Sequence, residues 1–146
     1  MESRTTKRVI AAVAIAAMGA FVACKKPAGK PDDGASSKGI GPVTSVQLAA
    51  IDPAMVKEGT EIFEGKCAAC HKMDEKVVGP ALSGVTKRRT PEWIMNMILN
   101  PEEMTKQDPT AQALLAEHLT QMTFQNVTEK EARAILEYFR KTDEGK

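Results

Sequence analysis

The sequence predicts an all-α head domain of about four helices, joined by a polar linker to an export leader. Beyond about Gln47, apolar residues recur at helical spacings and no alternating strand pattern interrupts them. Four segments open on helix-start signals: Asp52-Pro53, Thr90-Pro91, Asp108-Pro109 and Thr128-Glu129-Lys130-Glu131. Large rings are scarce, with one Trp, one Tyr and four Phe in 146 residues. A head of about 90 to 100 residues so poor in aromatics sits near the size at which burial becomes marginal, so an internal apolar cofactor would help fill its core.

Residues 1–23 are expected to be a removable signal rather than fold. Arg4, Lys7 and Arg8 precede an apolar run from Val9 to Ala23. At about 15 residues the run is short for a spanning helix, which needs ~20, and it has the layout of an export signal. It ends at Phe21-Val22-Ala23-Cys24, which resembles the bacterial lipobox, with Phe21 where Leu is usual. The resemblance implies that Cys24 is lipidated and becomes the mature N-terminus of a periplasmic, membrane-anchored lipoprotein. The competing reading makes Cys24 an incidental thiol in an ordinary signal or uncleaved anchor; either way the chain is exported. Residues 24–46, rich in Lys, Pro, Gly, Ser and Asp, read as an anchor and flexible linker. About 20 such residues would span ~25 Å. Residues 47–146 are the head.

Within the head, Met55, Ile62 and Phe63 lie on the first helix, which leads towards Cys67. The second buries Trp93, Ile94, Met97 and Ile98 and stops before Asn100-Pro101. The third carries Ala111, Leu114, Leu115, His118 and Leu119 on one face. The last opens on a capping box, buries Ala132, Ile135, Leu136 and Phe139, and ends with basic Arg140 and Lys141.

The chemistry-bearing motif is Cys67-Ala68-Ala69-Cys70-His71. Two Cys three apart on a helical turn can form thioethers with the two vinyl groups of one haem c, and the adjacent His can ligate its iron. Three rivals use the same residues. A zinc site wants four ligands, usually in two separated pairs, and His71 is badly placed beside Cys70. A thioredoxin-like pair wants a strand before it, whereas this one ends a helix. A structural disulfide suits an exported chain but gives His71 no task.

With these residues in view, the chain resembles the class I c-type cytochromes over about residues 53–142. Gly59 and Phe63 precede Cys67 by eight and four positions as in that family, with Ile135 and Tyr138 at the matching positions of the last helix. Gly79-Pro80-Ala81-Leu82 is similar to the family's Gly-Pro-x-Leu. The resemblance implies that the Pro80 carbonyl orients His71 and that Leu82 packs on the haem. It implies that Arg88, or neighbouring Arg89, lies near a propionate, and that Trp93 packs by or bonds to one; the plain alternative for Trp93 is core packing. It also implies Met122 as the second axial ligand, since Val127 and the cap Thr128 follow it in the family's order, although Thr123 stands where Pro is frequent. Met104, read as lying in a loop, and His118, on the third helix, are the rivals for that role.

The expected function is single-electron transfer between membrane-associated and periplasmic redox partners through transient encounters. A gas- or peroxide-binding haem enzyme or sensor, or a fixed subunit of a larger oxidoreductase, are the alternatives. Of 20 Lys/Arg and 19 Asp/Glu, the signal removes three and one, leaving 17 basic against 18 acidic. So even a balance, with no basic-aromatic stretch, excludes nucleic-acid binding as the reading.

Overall fold

Helix starts are set by short polar side chains followed by proline. Asp52 accepts the Ala54 N–H at 2.8 Å, Thr90 that of Trp93 at 3.1 Å, and Asp108 that of Ala111 at 2.9 Å. Each relieves an orphan donor of the first turn. At Thr128 both halves of the capping box are made, with Glu131 reaching back to the Thr128 N–H at 2.7 Å. The computed structural model describes residues 36–145. Among them are six helices and no strand: α1 Pro53–Lys66, α2 Val85–Arg88, α3 Pro91–Leu99, α4 Pro101–Gln107, α5 Pro109–His118 and α6 Glu129–Asp143. The signal segment, Cys24 and the first part of the linker lie outside the described residues.

The central packing is α1 across α6. A Cβ on Gly59 would collide with the backbone carbonyl of Ala134, so only glycine allows this approach. Phe63 then packs on Tyr138 and Phe139, with centroids 5.3 and 5.7 Å away. Such pairs contribute about 0.5–1.5 kcal/mol beyond area burial. Ile135 and Leu136 are fully buried beneath them. Glu137 is equally buried, held by Arg133 and Arg140.

Three expectations need correction. Met104 lies in helix α4, not in a loop, and its side chain is wholly buried. Leu119 falls beyond α5 in a left-handed turn (φ 55°) and is 85% exposed, so it does not continue that helix's apolar face. The linker ends earlier than composition suggested, because residues 37–46 are strapped across α3 and α4. Asn96 donates to the carbonyls of Lys38 and Val43 and accepts the Val43 N–H, all at 2.9 Å. Thr90 donates to the Ser37 carbonyl at 2.6 Å and Glu92 accepts the Val46 N–H at 3.0 Å. Val43 is buried. The strap is held mainly by side chains meeting its backbone, which leaves no apolar periodicity to read.

Candidate haem site

Helix α1 ends where the motif begins. The Cys67 N–H closes the last turn on the Phe63 carbonyl at 2.9 Å, and the N–H groups of Cys70 and His71 both reach the Cys67 carbonyl, at 3.1 and 3.0 Å. The chain then loops out and returns alongside: Gly79 N–H bonds the Cys70 carbonyl at 2.9 Å, Leu82 that of Lys72 at 3.0 Å, and Ser83 that of Met73 at 2.7 Å. This ladder lays Gly79-Pro80 against the imidazole. His71 Nδ1 lies 3.2 Å from the Pro80 carbonyl oxygen. A carbonyl can only accept, so Nδ1 carries the proton there and Nε2 keeps its lone pair for a metal. A Cβ on Gly79 would strike the imidazole ring, which explains the glycine.

Burial lowers the His71 pKa, the Pro80 bond opposes that, and the nearby His118 adds to the lowering; the net direction is down, towards the neutral ligating form. Burial raises the Cys67 thiol, with Lys66 opposing and Cys70 adding to it. Cys67 and Cys70 are not joined in a disulfide.

A cavity of about 360 Å³ opens beside this turn. Cys67, Cys70, His71, Pro80, Leu82, Arg88, Trp93 and Met122 all line it, as does His118. Met104 does not: its sulfur accepts the Ile40 N–H at 2.9 Å under the strap. That committed, fully buried sulfur removes Met104 from the contest for the iron.

Two polar residues are employed differently from expectation. The indole N–H of Trp93 donates to Asp108 Oδ1 at 3.1 Å, so Trp93 is a ring wall of the cavity and not a free donor for a propionate. Arg88 donates to the carbonyls of Ser83 and Ala81, at 2.6 and 3.3 Å, bracing the segment after Pro80. Arg89 lies over the Trp93 ring, 5.4 Å from its centroid. Sequence reasoning missed Asp108 as the partner of Trp93. It also missed Gln121, whose side chain accepts from Thr105 at 3.0 Å and donates to the Met122 carbonyl at 2.9 Å. A buried Trp, whose indole N–H needs an acceptor, was the available signal for the first; the second had none.

The cavity fits a haem. Its lining is largely apolar, with residues such as Phe63, Ile94, Leu114 and Phe139, and its size lies in the range of cofactor pockets. Two thiols and a carbonyl-oriented imidazole border it. A zinc centre fits less well, because among the described residues no three His, Cys, Asp or Glu side chains group as metal ligands.

The model of the Cytochrome c family matches residues 56–143. The chain belongs to the cytochrome c family. It is similar to the cytochrome c from Rhodothermus marinus, at 46% identity and a TM-score of 0.71, over 73% of this chain and 92% of that one. An engineered form of that protein bound to a carbene intermediate aligns at 44% identity and a TM-score of 0.67, over 72% and 92%. The curated Cytochrome c-551 of Stutzerimonas stutzeri is 48% identical over 40 residues, which is 27% of this chain and 38% of that relative. The architecture is thus the all-α cytochrome c fold. Family membership supports a haem-binding, electron-transferring role, and the Cys67 and Cys70 pair is consistent with covalent haem attachment. No described helix is long and apolar enough to cross a membrane.

Proposed function

We propose that the protein is a carrier of single electrons, with one haem c linked through Cys67 and Cys70 and ligated by His71 and Met122. The observation that carries this reading is the 3.2 Å approach of His71 Nδ1 to the Pro80 carbonyl on the wall of an apolar cavity that Met122 also lines. When bound, the haem supplies a one-electron iron couple. The chain's residues do the rest. Pro80 fixes the tautomer and aim of His71, Leu82 and Trp93 exclude water, and the thioether of Met122 raises the potential relative to a second imidazole. Two protein ligands leave no open position for a substrate, which favours a carrier over an enzyme.

We further propose that residues 1–23 direct export and that a lipidated Cys24 anchors the mature protein. The strap begins near Ser37, thirteen positions after Cys24. Such a leash suits brief encounters with a membrane-bound donor and a periplasmic or membrane acceptor, and such redox encounters bury little area.

The test is spectroscopic. Oxidised holoprotein should show the long-wavelength sulfur-to-iron charge-transfer band, and the reduced form should bind CO slowly or not at all. Rapid CO binding by the intact protein would replace the carrier with a gas- or peroxide-reactive haem protein. The Cys67→Ala/Cys70→Ala variant should lose haem in denaturing electrophoresis; haem retained there would sink covalent attachment. For the anchor, Cys24→Ala should move the mature protein from the membrane to the soluble fraction.

A further inference from the structure

His118 lines the cavity and has no task in the proposed carrier. It closes α5, and its side chain is 5% exposed. Its Nδ1 is buried without a hydrogen-bond partner. Buried polar atoms are rarely left unpaired, so such an atom beside a cofactor cavity points to a role with the cofactor. Its Nε2 stands 3.6 Å from Glu117 Oε1, which in turn faces Lys76 at 3.6 Å. His71 and His118 are near enough that one lowers the pKa of the other.

The support of Met122 is different. No helix spans residues 119–128. Leu119 and Asn126 both take left-handed backbone angles, and Gln121 and Gln125 largely bond to their own neighbours. Thr105 reaches the segment through Gln121, and Lys66 through the Asn126 carbonyl. Ahead of the buried Val127, the side-chain bonds tie Gln121 and Asn126 to α4 and α1 rather than to α5, so withdrawal of residues 120–126 would leave His118 in place.

We propose that His118 is a reserve iron ligand: when Met122 leaves the sixth position, the His118 imidazole takes it. The proposal rests on the reading of Met122 as the resident ligand. The exchange is a substitution in which a thioether sulfur leaves and the lone pair of a neutral imidazole nitrogen replaces it, with no electron transferred. It holds the iron six-coordinate while the loop is open, so the carrier does not become a gas-binding haem when its loop moves.

The test uses oxidised and reduced full-length holoprotein and compares Met122→Ala with Met122→Ala/His118→Phe by absorption, electron paramagnetic resonance and CO binding. Met122→Ala should lose the sulfur band yet stay low-spin with two nitrogen ligands, resist CO, and shift to a lower midpoint potential. The double variant should become high-spin and bind CO readily. A Met122→Ala protein already high-spin and indistinguishable from the double variant would overturn the proposal. A double variant that stays low-spin would overturn it too, pointing to another ligand such as Met97, which also lines the cavity. A sulfur band that survives Met122→Ala would overturn the Met122 assignment itself and the proposal with it. Should Met122→Ala fail to fold, the otherwise native protein in mild urea gives the same reading. There the sulfur band should vanish into a low-spin state that is absent from His118→Phe, and its direct replacement by a high-spin state would refute the proposal.

Discussion

The two stretches that bring His71 and Met122 to the cavity are built in opposite ways. From Cys67 to Ser83 the chain is cross-braced by its own backbone, with Gly79 on Cys70, Leu82 on Lys72 and Ser83 on Met73. Arg88 adds two further carbonyl contacts. From Leu119 to Thr128 there is no comparable ladder, and the ties run through side chains of Thr105, Gln121 and Lys66. The His71 side is therefore a fixed wall, and the Met122 side a segment held by a few separable bonds ahead of its one buried anchor, Val127. On the proposed reading, such an asymmetry would hold the cofactor from one side and leave the ligand on the other side exchangeable.

The largest effect is expected at the root of the second stretch, which is not loose. Asp108 caps α5 while accepting the buried Trp93 N–H and the Ser37 hydroxyl. Asp108→Ala removes a cap, typically about 1 kcal/mol, and strands a buried indole donor at about 1–3 kcal/mol. Chemical denaturation of the holoprotein should show a loss of about 2–4 kcal/mol by those two effects. A loss below about 0.5 kcal/mol, the size of an ordinary surface substitution, would mean that the strap and α5 are not one unit.

Next comes Gly79→Ala, which breaks the fixed wall. The added methyl meets the His71 ring, so either the imidazole turns away from Pro80 or the ladder opens. Overpacking of this kind costs about 1–3 kcal/mol. Resonance Raman or nuclear magnetic resonance of the His71 ring should register a weakened Nδ1 hydrogen bond. An unchanged ring signal would show that this wall yields as easily as the other.

That contrast also marks what the sequence made legible. Four helices and their caps could be read, because Asp, Thr and Pro at helix starts and apolar spacing act locally; the contact of Gly59 with the last helix was legible only through the family resemblance. The turn bearing Cys67, Cys70 and His71 was equally plain. What escaped depends on side chains serving distant backbone. Lys38 and Val43 look like linker until Asn96 is seen to receive them, and Ile40, the linker residue able to anchor into a core, meets Met104. Helix α4 has a single large apolar residue, Met104, in seven positions, too few to show a period, and it is the strap that buries that residue. Asn96, 1% exposed among apolar neighbours on α3, was the available clue, since a buried amide must have partners.

Acid should test the fixed wall from behind. Asp143 on α6 accepts from the Gly84 N–H at 2.5 Å and from the Thr86 N–H and hydroxyl at 3.0 and 2.7 Å, tying α6 to α2 just beyond the Pro80 segment. Burial pushes its carboxyl up, but the bonds from Thr86 and Gly84 outweigh it and the pKa falls below the usual range. Glu137 moves the same way, with burial outweighed by Arg133 and Arg140. A carboxylate depressed in the folded state stabilises above its unfolded pKa, and that stability is lost as pH falls through the folded value. Stability should hold steady from neutral pH to about 5 and decline below about 4, the ordinary carboxylate range. Asp143→Asn should flatten that acid decline; an unchanged slope would remove Asp143 from the account.

The smallest effect belongs to Gln121→Ala, and it is the most informative about the Met122 side. The amide links Thr105 on α4 to the Met122 carbonyl, both contacts being partly exposed or exposed. Bonds of this kind contribute about 0.5–1.5 kcal/mol each at most, so global stability should fall by about 1 kcal/mol or less. The sulfur band should respond more than the stability does, weakening or disappearing at lower temperature and milder denaturant than in the unaltered protein. The reason is that the bond restrains a segment whose opening exposes little of the core, whereas the fold rests on α1 and α6. If stability and the sulfur band instead fall together, the Met122 segment is part of the cooperative core, and the two sides of the cavity differ in hydrogen-bond pattern but not in freedom.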